Sequence, residues 1–444
     1  MQHCRYFKLI LFTFLLCTYM PLNGKVYQDG KDDILEYLFS KKDAKYILRY
    51  NHVFKDTLII PHNSELFFSG GSLSGPIVFN NSNLSGDVNL KGSSITGTIN
   101  NKTFDASWLC SMDGKTDDAP CINEIIHVCG NVYFPKGEYR LISTFDATGK
   151  VSDDLFPDVK AHIGIYKSNV TLTGERGAIF ITDEPTGIIC AFTQPYKIGH
   201  SINNIVIDNI TFNVNNDGQR FYDLTHTIKL IGANGVVIKN CIFNDFWGDA
   251  ICLSHYGDNP KTGERTRNTN IKILNNTIIG GYHHSNRNGI SVISGKNVLI
   301  KGNSISNTSR SDMPGGIDVE PNNSAFTIEN IRIEKNVLEG IKTSGICVVL
   351  LNGSPAKKVA IIDNKINNSG NGILLYVKTE STTEDFQVKG NIIDGKTNPI
   401  YFKGDGTSRR WSISGNTFGK PLGQKVPGDI KVDELVVKKN KKKV

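Results

Sequence analysis

The chain reads as an all-β protein, a right-handed, single-stranded parallel β-helix with coils of about 27 residues. Three observations predict it. First, a Gly-Ile phrase followed by alternating residues recurs at Gly289-Ile290, Gly316-Ile317, Gly345-Ile346 and Gly372-Ile373, with Ala250-Ile251 as a variant. Ile290, Ile317, Ile346, Ile373 and Ile400 are separated by steps of 27, 29, 27 and 27 residues. A fixed period of that size marks a solenoid. Second, each period holds another β-branched run broken by Asn or Gly, as in Ile207-Asp208-Asn209-Ile210-Thr211-Phe212 and Ile273-Leu274-Asn275-Asn276-Thr277-Ile278. That is strand–turn–strand chemistry, with Asn able to hold a left-handed turn and to stack into amide ladders along the axis. Third, the apolar spacing is close to two and leaves no room for a long amphipathic helix. A right-handed crossover is the default for parallel strands.

The elements follow in order. Residues 1–24 read as a secretory signal: Arg5 and Lys8 precede the apolar run Leu9 to Leu16. That run is too short to span a bilayer, and no later segment is long enough to do so. A secreted, periplasmic or cell-surface location is expected. A lipid anchor at Cys17 is disfavoured because bulky Leu15 and Leu16 stand before it. Residues 25–107 form a β-rich module, expected to cap the open end of the solenoid. Residues 108–430 form the β-helix. Residues 431–444 are expected to be a basic, disordered tail.

The net charge of +7 sits at the ends. Arg5 and Lys8 in the signal, with Lys438, Lys439, Lys441, Lys442 and Lys443 in the tail, carry all of the excess. A neutral body offers no global attraction for a polyanion, so no nucleic-acid partner is expected. Nine cysteines fall to seven without the signal. An odd number without close spacing argues against a disulfide framework or a metal site. Cys241, Cys252 and Cys347 are expected to be small core residues.

The segment Asp113 to Asp118, the helical stretch Ala119 to Val128 and the run Asn131 to Leu141, turning at Pro135 and Gly137, resemble the N-terminal entry of the pectate-lyase-like superfamily. With the coils, the resemblance spans about residues 110 to 420. It implies the β-helix fold and a carbohydrate substrate, whether the chemistry is that of a rhamnogalacturonase, polygalacturonase, tailspike endoglycosidase, lyase or epimerase. The Gly-His-Gly of polygalacturonases and the Asp-Pro-His of mannuronan epimerases are both missing. Calcium occurs in the superfamily, but no acidic loop here has a matching ligand spacing. No cofactor is expected.

The period breaks where the polar residues gather. Ile251 to Ile290 is 39 residues, and the surplus fits His255 to Gly263. Insertions in solenoids go to loops beside the binding face. If Ile251, Leu253, Ile290, Val292, Ile317 and Val319 point inward, Asp318 and Glu320 project outward, with Ser291 one coil before and Asp249 near the same face. Asp318 and Glu320 lie roughly 6.6 Å apart along a strand, and Asp249 and Asp318 roughly 9.5 Å apart over two coils. Both spacings suit an inverting glycosidase, whose carboxyls stand about 6.5–9.5 Å apart. The candidate catalytic residues are therefore Asp249, Asp318 and Glu320. The candidate substrate-binding residues are Trp247, His255, Tyr256, Tyr282, His283, His284, Arg287 and Asn288. The ligand is expected to be a polysaccharide or oligosaccharide. A lyase or epimerase would instead recruit Arg287, His284, Lys261 and Arg267, and a non-catalytic adhesin would need no acid at all.

Overall fold

The structure, a computed structural model, describes residues 25–31, 35–146, 160–184, 186–192, 201–215, 225–254, 256–258, 265–280, 287–307, 315–326, 328–419 and 432–442. The chain divides into two compact units, Met1–Lys102 and Thr103–Val444. The signal and Cys17 lie outside the described residues. Among those residues no helix is long and apolar enough to cross a membrane.

The first unit is itself a small parallel solenoid. Val26 pairs with Lys45, Lys45 with Glu65 and Glu65 with Asn83, while Leu58 pairs with Ile77 and Ile77 with Ile95. Each coil thus takes 18 to 20 residues. Tyr46, Leu48, Leu66, Phe68, Ile77 and Ile95 fill its interior.

The second unit opens with the short strand Phe104–Asp105 and a turn of 3-10 helix, followed by the strand Asp113–Asp117 and the helix Ala119–Val128. Asp117 accepts the Ala119 backbone N–H, one of the free donors of the first helical turn. Asp118 instead accepts the Ser111 and Met112 amides. Contrary to the expectation from cysteine spacing, Cys110 and Cys121 form a disulfide. The first helical turn carries Cys121 back beside Cys110, a proximity that spacing alone does not reveal.

Three strands per coil then build the helix. One sheet runs from Phe104–Asp105 to Val432–Lys438, 12 strands among the described residues. The other two faces merge because Lys365–Val377 and Ile392–Lys403 turn a corner as continuous strands. The predicted period is an unbroken register: Ile163, Ile189, Ile228, Ile251, Ile290, Ile317, Ile346, Ile373 and Ile400 are successive partners. All point inward and are fully buried.

Packing also explains the glycine of the repeated phrase. A Cβ on Gly316 would collide with Leu338 and stand 2.6 Å from the Gly345 carbonyl oxygen. One on Gly345 would collide with Ile366. Each coil bends there with its backbone pressed against the next, so a side chain has nowhere to go.

The amide ladder is present too. Asn276, Asn303, Asn336, Asn364, Asn391, Asn416 and Asn440 occupy successive coils. From Asn303 onward each Oδ1 accepts both the backbone and the side-chain N–H of the preceding asparagine, while Asn276 Oδ1 accepts the Cys241 backbone N–H. The residue before each is left-handed, as at Asn275, Lys335 and Asp363. The ladder also corrects the reading of the tail. Val432–Lys438 is a strand pairing with Ser408–Ser414, Lys441–Lys442 pairs with Thr417–Phe418, and Asn440 ends the ladder. Leu435 stands opposite Trp411 and Val437 opposite Ile413, so the register of the coils continues although both residues are exposed.

Candidate active site

The inward isoleucines set what faces out. One residue after them, Lys229, Cys252, Ser291, Asp318 and Cys347 form a row in register. Two residues before them stand His226, Asp249, Asn288 and Gly315. These two lines of residues meet. The missing Cβ of Gly315 would stand 2.5 Å from Asn288 Oδ1 and 3.4 Å from Cys347 Sγ. Glycine there leaves the Asn288 amide room to reach across.

Asn288 uses that room. Its backbone N–H donates to Asp249 Oδ1 at 2.9 Å, and its side-chain Nδ2 donates to Asp318 Oδ2 at 3.1 Å and to Ser291 Oγ at 3.1 Å. The two acids are two coils apart, as the sequence predicts. Neither is a solvated surface acid: Asp249 is 3 % exposed and Asp318 is 6 % exposed. Glu320 and Arg287 are half-buried and form the rim.

Burial is the main reason the Asp318 carboxyl is held well above its ordinary value. The Glu320 carboxylate, close enough to share a proton with it, and the charge of Asp249 add to the rise, while Arg287 opposes it. Asp318 Oδ1 is buried without a donor, as suits a protonated carboxyl facing a second carboxylate.

On the other side of Asp249 stands His226, its Nδ1 3.2 Å from Asp249 Oδ2 and accepting the Asp249 backbone N–H at 3.1 Å. Burial, then Lys229 and Arg287, keep this ring neutral by holding it well below the usual histidine range. Gly248, at φ +51°, permits the approach; a Cβ there would sit 3.2 Å from His226 Nδ1.

Several expected residues are placed differently. Trp247 is 1 % exposed and offers no open face to a sugar ring. Cys252 and Cys347 are buried, as expected, but they stand in the row that carries Ser291 and Asp318, and burial holds both thiols above their ordinary range. The insertion after Ile251 is a β-hairpin, Tyr256–Asp258 against Arg265–Thr266, so Tyr256 lies on a strand. His255, Lys261, Tyr282, His283 and His284 lie outside the described residues. Arg267 is half-buried just after that hairpin.

Sequence reasoning missed His226, although it stands two residues before Ile228 just as Asp249 stands two before Ile251. Extending the line by one coil finds it. Asp245 was missed as well: half-buried at the corner before Trp247, it is pushed up to about 6 by burial.

His226, Asp249 and Cys252 each bring one donor atom to within 4.8 Å of the others. Nitrogen, oxygen and sulfur together suit zinc, whereas calcium takes six to eight oxygens. The cysteines of a second cluster, Cys110, Asp118 and Cys121, are joined as a disulfide.

A family model described as "Right handed beta helix region" matches residues 266–418. The exopolygalacturonase of Thermotoga maritima superposes with a TM-score of 0.50 at 11 % identity, covering 77 % of this chain and 88 % of its own. The fold is that of the right-handed parallel β-helices. Other β-helices are similar as well. The A-module of the mannuronan C-5 epimerase AlgE6 of Azotobacter vinelandii has a TM-score of 0.44 at 14 % identity, over 77 % of this chain and 99 % of its own. The surface adhesin PfbA of Streptococcus pneumoniae has a TM-score of 0.40 at 14 % identity, over 77 % and 91 %. No curated protein matches the chain. At these identities the likeness is one of fold.

Proposed function

We propose that this β-helix is a secreted glycoside hydrolase acting on a complex polysaccharide, with Asp318 as general acid and Asp249 as general base. The observation that carries the reading is the Asn288 bridge, which holds two carboxyl groups from different coils toward one place. Two coils put their strands roughly 9.5 Å apart, with the carboxyls converging on Asn288 between them, a spacing in the range that admits a water on the far side of the sugar. Their environments divide the labour. Asp318, buried beside Glu320, keeps a proton to give to the glycosidic oxygen. Asp249, accepting the Asn288 amide, takes a proton from the water that attacks the anomeric carbon. The C–O bond breaks, and the leaving sugar departs as an alcohol. Glu320 is a positioning residue whose negative charge holds the proton on Asp318.

Incubation with plant, algal and host glycans tests the reading. New reducing ends without the ultraviolet absorbance of an unsaturated uronide support hydrolysis. Growing absorbance indicates a lyase and overturns it. Binding without any product, unchanged in Asp318→Asn, indicates an adhesin.

A further inference from the structure

We infer that the coils following Asp318 carry a binding ledge for acidic sugar units. The inference rests on the glycan reading above for its ligand class, while its residues are read from register alone. The outward row containing Asp318 continues through Cys347 to Leu374 and Tyr401. The outward line containing Glu320 continues through Val349 to Tyr376 and Lys403.

The character of the face changes along these lines. Around Asp318 and Cys347 it is buried; Leu374, Tyr376 and Tyr401 are half-buried and Lys403 is exposed. Lys403 Nζ lies 5.3 Å from the centre of the Tyr376 ring, which fixes the ammonium over an aromatic face without neutralising it. Tyr401 stands one coil beyond Leu374. At the corner below, Asn398 donates to Asn371 at 3.1 Å, and both amides remain half-exposed.

These groups form a stacking ring, a fixed cation and polar amides on one open strip of sheet. Leu374 and Tyr401 lie two and three coils from Asp318, roughly 9.5 and 14 Å along the axis. One coil is close to the length of one sugar ring, so a chain laid along the axis from Asp318 reaches Tyr401 within about three units. On the other side of the acids Lys229 adds positive charge, and Arg287 adds more on the coil between them. A chain carrying carboxylates meets a cation on both sides of the buried acids. A neutral chain meets only the stack and the amides.

The test is binding by Asp318→Asn, which blocks the proposed turnover, to oligogalacturonates and oligomannuronates, with cello-oligosaccharides as neutral probes. The parent variant should bind an acidic oligosaccharide more tightly than the neutral ones. Adding Tyr401→Ala should weaken that binding about tenfold, the usual worth of one aromatic stack. Adding Lys403→Gln should erase the acidic preference while the melting temperature stays unchanged. Failure of the parent to bind any acidic oligosaccharide, or equal binding by all variants, overturns the ledge. If wild type cleaves a glycan while both ledge substitutions leave KM untouched, the ledge falls and the hydrolase stands. If the ledge variants lose binding and no glycan is cleaved, the hydrolase falls and the ledge stands.

Discussion

Asn288 holds Asp249 and Asp318 at the same time, one through its backbone N–H at 2.9 Å and the other through its side chain at 3.1 Å. Gly315 makes this possible by leaving empty the space its own Cβ would fill. The arrangement couples two acids that belong to coils 39 and 30 residues away from, respectively, the amide's backbone and its side chain.

Asn288→Ala removes the side-chain arm and keeps the backbone arm. Asp318 then loses the donor to Oδ2, and the two carboxyls lose their fixed relation. Turnover is predicted to fall about 10²-fold, as for other positioned donors, with kcat affected more than KM. Steady-state kinetics check it. Gly315→Ala should act in the same direction by displacing the same amide.

The raised Asp318 carboxyl makes stability depend on pH. Its folded value exceeds the unfolded value of 3.8, so below 3.8 both states hold the proton and its contribution is fully present. As pH rises from there through the folded value, the unfolded chain releases the proton first and stability is lost. Each unit of raising removes about 1.4 kcal/mol at high pH. Asp318→Asn is therefore predicted to gain melting temperature relative to wild type as pH increases. A difference that stays constant from pH 3.8 upward contradicts this.

Buried His226 has the opposite dependence, since its folded value lies below the unfolded 6.5. Stability from this group is present above 6.5 and is lost as pH falls through that value, where the unfolded chain takes up the proton. His226→Gln should flatten the acid side of the melting profile below about 6.5 without changing the alkaline side.

The repeated glycine is predicted to be irreplaceable for packing reasons. Gly345→Ala drives a methyl group into Ile366 and toward the Gly372 carbonyl, 2.9 Å away. A cost of about 1–3 kcal/mol is expected, typical of overpacking. Gly353→Ala, with the nearest atom 3.9 Å away, meets no such obstacle; its cost is that of its φ of +74° alone. Thermal melts of the two variants separate crowding from backbone strain.

The asparagine ladder should be costly to interrupt. Asn336→Leu leaves two Asn303 donors and the Ile300 carbonyl without partners in a buried site. Each unmade bond costs about 1–3 kcal/mol. Asn330→Gly, which keeps its left-handed backbone and loses only an exposed bond to Asn297, should change the melting temperature little.

The scaffold was legible because inward isoleucines must recur once per coil, and a strand of period two then assigns Asp318 and Glu320 to the outside. The same parity places Cys252 in the row of Ser291 and Asp318 once Ile251 is inside, a position its small apolar side chain did not suggest. The glycine of the phrase carried a reason visible only across coils, where Leu338 and Ile366 press against the bend. The Cys110–Cys121 bond depended on a turn that brings residues 11 apart together. The ordered tail was hidden because lysines dominate its composition while Val432, Leu435 and Val437 set its register. Nothing in the spacing of Asn288 distinguished a bridging amide from the many turn asparagines.

The most direct test is reducing-end release by wild type, Asp318→Asn, Asp249→Asn and the double variant on one cleaved glycan, each first shown to melt cooperatively. The bridged-pair account predicts that each single substitution lowers kcat at least about 10²-fold, the scale of general acid–base catalysis, and that the double variant is little worse than either single one. Either single variant turning over at the wild-type rate would contradict it.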